Sequence, residues 1–235
     1  MKPYQAIVFS GALLVVEAFP AMAGSPPEAG MTIATVSRTI ADVTRKEPDK
    51  DWQKTKMGEL LGTGDRLRTG ERSFAIIKFK DNSLVRIRSE SEVTVTGTMS
   101  GTAFSKSVTV DQGGLGFNIA KQKAGEEFRF TSPTSVASIR GTGGQLVTTP
   151  DGDTLIVLNG IVTLFNNASS RSLDVGAGYT GISNRDGNLF SRLATDDEKR
   201  SAEDAIRTGD QPMKLEFELR DGQGRTKNLR IDYKQ

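Results

Sequence analysis

The side chains that most often carry catalysis are missing, because the 235 residues include no His and no Cys. Ser-His-Asp and Cys-His catalysis are thereby excluded, as are zinc sites built on imidazole or thiolate. Paired carboxylates, a Ser-Lys dyad or a carboxylate-held metal remain. Ser105-Lys106 offers a dyad, but neighbours in an extended segment face opposite ways. Asp151-Gly152-Asp153 supplies some oxygen ligands of a calcium loop without the spaced set that ends in a bidentate Glu, and two acids in a turn read as solvated. No pair of acids stands out for the fixed separation that glycoside hydrolysis needs. The chain reads as non-enzymatic, with no cofactor and no metal.

Two binding chemistries are left. Arg140-Gly141-Thr142-Gly143-Gly144 sets consecutive backbone N–H groups beside a guanidinium, an arrangement that can cradle a phosphate or carboxylate. It lacks the Gly-Lys-Ser/Thr of a P-loop and runs into a strand rather than a helix. The sequence therefore favours a structural role, in which the glycines serve turns and Arg140 pairs internally to fix the crossing of two strands. Trp52, the only tryptophan, lies between Asp51 and Gln53. With Tyr179 and Tyr233 it could line a sugar-binding groove; alone it reads as a rim residue over one edge of the core. Trp52, Arg140, Gly141, Thr142 and Tyr233 are the candidate ligand or partner contacts.

The elements that must position these residues are strands. Ala75, Ile77 and Phe79 alternate with Ile76, Lys78 and Lys80, and Val85 and Ile87 alternate with Leu84, Arg86 and Arg88. That is the period of half-buried antiparallel strands, with Asp81-Asn82 as the turn between them. Val93-Thr94-Val95 and Val108-Thr109-Val110 should pair as a hairpin across a Gly-, Ser- and Thr-rich turn from Gly97 to Lys106. The glycines at 113, 114 and 116 predict a bulge or a close approach of two backbones. Phe128 and Phe130 share one strand face, and Asn159-Gly160 between β-branched runs is the strongest local hairpin signal. Ala194 to Ile206 is the one clear helix, capped by Thr195 or Asp196, acidic in its first turn and thin in apolar residues; it reads as a surface spacer. Leu215–Leu219 and Leu229–Tyr233 then alternate apolar with charged residues as a C-terminal hairpin. An isolated hairpin is marginal in water, so this one must pack on the domain or on a partner.

These residues also carry a family resemblance. Gly64-Asp65-x-Leu67-x-Thr69, Ser73-x-Ala75, Asp81-x-Ser83 and the Ser-x-Val-Thr-Val close resemble the first half of a FecR domain. Thr131 to Thr142, with Ser132-Pro133, Ala137 and Arg140-Gly141-Thr142, is similar to that family's "TP…A.VRGT" segment, followed by Val157-Leu158-Asn159-Gly160. The resemblance spans residues 55 to 182 or so. Asn82 stands where the family usually has Gly, and Asn is the next most tolerant residue in a left-handed turn. The resemblance implies a non-catalytic interaction or signalling module. Membrane regulators of the family carry a cytoplasmic anti-sigma segment and a transmembrane helix before the domain. This chain shows a signal peptide there, so the expectation is an envelope binding module rather than a direct sigma-factor regulator.

That signal peptide is read from Lys2, the apolar run Ala6 to Phe19, and Ala21-Met22-Ala23 before a cleavage at Gly24. The run is shorter than the ~20 apolar residues of a span. Export is to the periplasm or beyond, where an absence of Cys leaves the fold to be held by its core. Removing Lys2 and Glu17 leaves the net charge of +2 unchanged, which is no nucleic-acid footprint. A hydrophobic content of 36% suffices for an ordinary core. The expected order is a signal peptide (1–23), a linker (24–31), an all-β domain of short antiparallel strands in a sandwich-like or solenoid-like roll (32–193), a helical spacer (194–211) and a β-hairpin (212–235). An envelope protein is the expected partner, with peptidoglycan or polysaccharide as the alternative.

Overall fold

A computed structural model describes residues 31–207 and the backbone of two strands beyond them, 213–220 and 226–233. The expected signal segment and nearly all of the linker lie outside the described residues.

The alternation read from the sequence builds two sheets that face each other. In chain order the strands are β1 (Ala34–Ile40), β2 (Val43–Lys46), β3 (Gln53–Lys54), β4 (Leu60–Leu61), β5 (Arg66–Thr69), β6 (Phe74–Phe79), β7 (Leu84–Ile87), β8 (Glu92–Ser100) and β9 (Ala103–Asn118). They continue as β10 (Phe128–Thr131), β11 (Ser135–Ile139), β12 (Gly143–Thr149), β13 (Gly152–Asn159), β14 (Ile161–Asn166), β15 (Arg171–Gly176), β16 (Tyr179–Asn184) and β17 (Leu189–Leu193). Sheet I runs β4-β1-β6-β7-β9-β12-β13-β16-β17. Sheet II runs β3-β2-β5-β8-β9-β10-β11-β14-β15. Only the β9–β10 pair is parallel. The all-β roll expected from the sequence is the fold observed.

Strand β9 belongs to both sheets. Its first part pairs with β8 and β10, its last with β7 and β12, and the register shifts where Val110 and Gln112 flank Asp111. Gly113 sits just beyond with φ +91°, where a Cβ would lie 2.2 Å from Ser91 Oγ. A side chain cannot fit there, so the glycine lets the strand bend from one sheet into the other. The core lies between the sheets. Phe79 and Phe117 of sheet I meet Phe128 and Phe130 of sheet II with ring centroids 4.9 Å apart in each pair. All four rings are buried, as are Ile77, Val85, Ile87, Val93 and Val95. Ile76, on the opposite parity of β6, is buried too, against the outer face.

Three expectations are corrected. The turn between β8 and β9 is not ten residues long: the strands run on to Ser100 and Ala103, and Gly101 with φ +60° turns the chain. Residues 97–106 look loop-like because they are small and polar, yet small polar residues also suit a solvated strand edge. Asn159-Gly160 makes no hairpin, since β13 pairs within sheet I and β14 within sheet II. A type I′ turn needs positive φ at both residues, and only Gly160 has it (+78°). Asn159 instead accepts a hydrogen bond from Gly143 N through Oδ1 at 2.9 Å. Finally, the helix α1 (Asp196–Ile206) is docked on sheet I rather than held apart as a spacer.

A row of register partners explains that docking. Arg38, Ile76, Arg86, Gly116, Gln145, Ile156, Thr180 and Arg192 succeed one another across the outer face of sheet I. Helix α1 crosses part of this row and buries Ala202 and Ala205. Thr195, one of the two expected caps, caps it, and the structure adds a reciprocal box with Glu198. The C-terminal hairpin is present as β18 (Met213–Arg220) and β19 (Thr226–Tyr233), a separate two-stranded sheet with Leu215 opposite Ile231 and Phe217 opposite Leu229. The residues between the two strands, 221–225, lie outside the described residues.

Candidate functional site

Most polar residues of the sequence motifs are committed to scaffolding. Asp65, buried before β5, accepts from Arg45 Nη2 at 2.7 Å and from Gly62 N at 2.7 Å. Asp81 holds the β6–β7 turn by accepting from Ser83 N, and it pairs with the buried Lys106 at 2.7 Å and with Gln122 Nε2 at 2.9 Å. Asn82 takes the left-handed conformation expected of it, at φ +66°. Burial alone would raise the carboxyl pKa of Asp81, but the bonds from Lys106, Gln122 and Ser83 outweigh it and the net direction is downward. Ser105 and Lys106 lie on opposite faces of β9, so no dyad forms. Ser132 and Ser135 both donate to the carboxylate of Asp153, which is buried rather than solvated. The turn reading of Asp153 failed because its partners lie far from it in sequence.

Arg140 is the exception. It follows β11, is exposed, and makes no ion pair or hydrogen bond among the described residues, so the expected internal pairing is absent. It borders an open cavity of about 330 Å³ whose walls include Lys123, Glu126, Glu127, Ser138, Ile161 and Thr163. Lys123 and Glu126 are likewise without ion pairs among the described residues, whereas Glu127 pairs with Arg129. Thr163 donates to Asp174 Oδ1 at 2.7 Å. Gly141 (φ +73°) and Thr142 stand next to Arg140 as structural residues: Thr142 is buried and its hydroxyl donates to Ile161 O at 3.1 Å. The glycine run lets β11 pass into β12, and within it Gly143 N donates to Asn159 Oδ1 at 2.9 Å.

The cavity opens onto the outer face of sheet II. On β14, Val162 and Leu164 point into the core while Ile161, Thr163 and Phe165 point out. Ile161 is 60% exposed and Phe165 36%. Across the β11–β14 register Ser138 stands opposite Thr163 and Val136 opposite Phe165. Sheet I has its outer face partly covered by α1; among the described residues nothing covers this part of sheet II. Ile161 and Phe165 escaped the sequence reading because both parities of β14 are largely apolar, so periodicity could not tell which faced water.

Trp52 lies elsewhere and its ring is engaged. The Arg68 guanidinium stacks 4.3 Å from its centroid and Arg66 lies 5.8 Å away, both arginines being held by the buried Glu92. The Arg68 guanidinium thus occupies one face of the ring. Tyr179 is on β16, apart from Trp52, and the side chain of Tyr233 lies outside the described residues. No observation favours a polysaccharide groove.

The geometry can be set beside known proteins. The family described as FecR protein matches residues 65–163. No curated protein matches the chain. Two crystal structures of a candidate anti-sigma factor from Parabacteroides distasonis, at 2.50 and 1.65 Å resolution, are similar at 12% and 11% identity with TM-scores of 0.47 and 0.46. Each comparison covers 55% of this chain and 59% of the other, so the likeness spans less than two thirds of those proteins. The matched family segment begins at Asp65 and ends at Thr163, taking in both sheets, the Arg140 cavity wall and half of β14. Over residues 65–163 this chain matches the FecR protein family.

Proposed function

We propose that the chain is a non-catalytic, signalling-related binding module that is exported to the cell envelope and recognises a protein partner through the outer face of sheet II. The observation that carries this reading is Arg140: exposed, and without an ion pair or hydrogen bond among the described residues, it stands at the rim of a cavity that adjoins the exposed Ile161. Cationic and apolar groups side by side on a rigid strand face are what a protein contact uses, an apolar anchor with a polar rim. The match to the FecR protein family supports a signalling role, and residues 1–23 support export, with mature residues from Gly24 onward. The layout we adopt is a linker at 24–31, the β domain at 32–193, the helical segment at 194–211 and the hairpin at 212–235.

The test is capture from envelope extracts by the purified full chain, compared with Arg140→Glu and Ile161→Asp. Loss of one specific partner in both variants, at unchanged melting midpoint, is the expected result. Capture that is indifferent to both substitutions would refute the reading. Intact mass of the exported protein should begin at Gly24; retention of Met1 in the membrane fraction would argue for an anchor.

A further inference from the structure

Cations gather on the outer face of sheet I where α1 ends. Arg38 and Arg86 flank the ring of Phe74, their guanidinium carbons 6.0 and 4.0 Å from its centroid, and Arg88 stands two residues beyond Arg86 on the same face. A cavity of about 260 Å³ opens there, with Arg72, Phe74, Arg86, Arg88, Ser89 and Asp204 in its walls.

Among the described residues the charges in it do not balance. Arg86 is spent on α1, donating to the backbone carbonyls of Asp204 at 3.5 Å and of Arg207. Among the described residues Arg88 reaches only Ser201 Oγ, at 3.5 Å, and Arg72 only the exposed Glu71, also at 3.5 Å. Asp204, the one carboxylate in the wall, is itself paired with Arg207 at 3.4 Å. Burial, and then repulsion from Arg88 and Arg38, push the Arg86 pKa down, the direction expected of a guanidinium short of counter-charge.

We propose that this cavity binds the carboxylates of an extended acidic peptide segment, with Arg72 and Arg88 as its principal contacts and Arg86 as a fixed field behind them. Guanidinium groups offer carboxylates a planar, two-pronged donor fork. Arg72 lines the cavity from the turn before β6 and Arg88 from just past the end of β7. Two guanidinium forks from separate elements suit two spaced carboxylates of one extended segment better than a single compact anion. The site is on the other sheet from Arg140, so it stands or falls apart from the proposed binding face.

Titration calorimetry of the full chain with an acetylated, amidated Glu-Ser-Glu-Ser-Glu peptide at constant ionic strength tests it. Saturable binding that weakens with added salt is expected, and Arg72→Gln and Arg88→Gln should each lower the affinity about fivefold. Arg86 is left intact because it holds α1, and unchanged melting midpoints confirm that the variants are folded. No saturable binding, or affinity unchanged in the Arg72→Gln/Arg88→Gln double variant, would overturn the proposal. Inorganic phosphate binding as tightly as the peptide would overturn its peptide assignment in favour of a small-anion site.

Discussion

Gly116 on β9 touches Ala205 of α1 backbone to backbone: a Cβ on Gly116 would lie 2.0 Å from the Ala205 carbonyl oxygen. The helix has few apolar residues to bury, so it gains contact by coming close. Gly116→Val should therefore lift α1 off sheet I. The expected cost is about 1–3 kcal/mol, the range for overpacking a close contact. Amide exchange in 196–206 should rise while the sheets stay protected; unchanged protection of the helix would show that this contact does not seat it.

Glu198 is the polar anchor at the other end of α1. It accepts from Arg192 at 2.7 and 2.8 Å, from Thr180 Oγ1 at 3.1 Å and from Thr195 N at 2.8 Å. The bonds from Arg192 come first among the influences that bring its pKa from 4.5 to about 2. A carboxyl held low when folded stabilises fully above its ordinary value and loses that contribution as pH falls towards the folded one. Helix signal and protection of α1 should thus decline from pH 4.5 towards 2 ahead of the sheets. Glu198→Gln should already weaken α1 at pH 7 and flatten this acid dependence; an unaltered profile would contradict the assignment.

Lys106 is a buried cation inside a β sandwich, tied to Asp81. Lys106→Met should lower the melting midpoint by the equivalent of about 3 kcal/mol, because it leaves a half-buried carboxylate without its cation. The Lys106→Met/Asp81→Asn pair should recover part of that loss. The sign with pH follows from the lowered pKa of Asp81: its contribution is present above the ordinary value of 3.8 and is lost as pH falls below it. Lys106→Met should shrink that loss on the acid side, measured by melts at stepped pH.

Gly160 turns the chain from one sheet to the other. A Cβ there would lie 2.7 Å from Thr142 Oγ1 and 2.9 Å from Gly141 O, at φ +78°. Gly160→Ala should cost about 1–2 kcal/mol from the left-handed backbone alone, visible as a lower denaturation midpoint with unchanged slope.

Much of this fold was legible because its signals are local. The β8–β9 register follows from Val93-Thr94-Val95 facing Val108-Thr109-Val110, observed as Val93 opposite Val110 and Val95 opposite Val108. Asn82 and the Thr195 cap are equally local. What escaped depends on distant partners. Asn159-Gly160 reads the same whether its flanking strands pair with each other or with strands of two different sheets. Gly116 announced a close approach without naming α1 as the neighbour. Asp153 looked solvated because Ser132 and Ser135 reach it from another hairpin, and Arg140 looked structural because its glycines are.

The central claim is that the outer face of sheet II is the binding face, and site-specific photo-crosslinking in cells tests it most directly. A photoreactive phenylalanine analogue placed singly at Ser138, Ile161 and Phe165 of sheet II, or at Ile182 and Phe190 of sheet I, samples the two outer faces in one experiment. The account predicts one discrete crosslinked partner from all three sheet II positions, lost on Arg140→Glu, and none from the sheet I positions. A partner crosslinked from Ile182 or Phe190 and absent at Ile161 and Phe165 would contradict it.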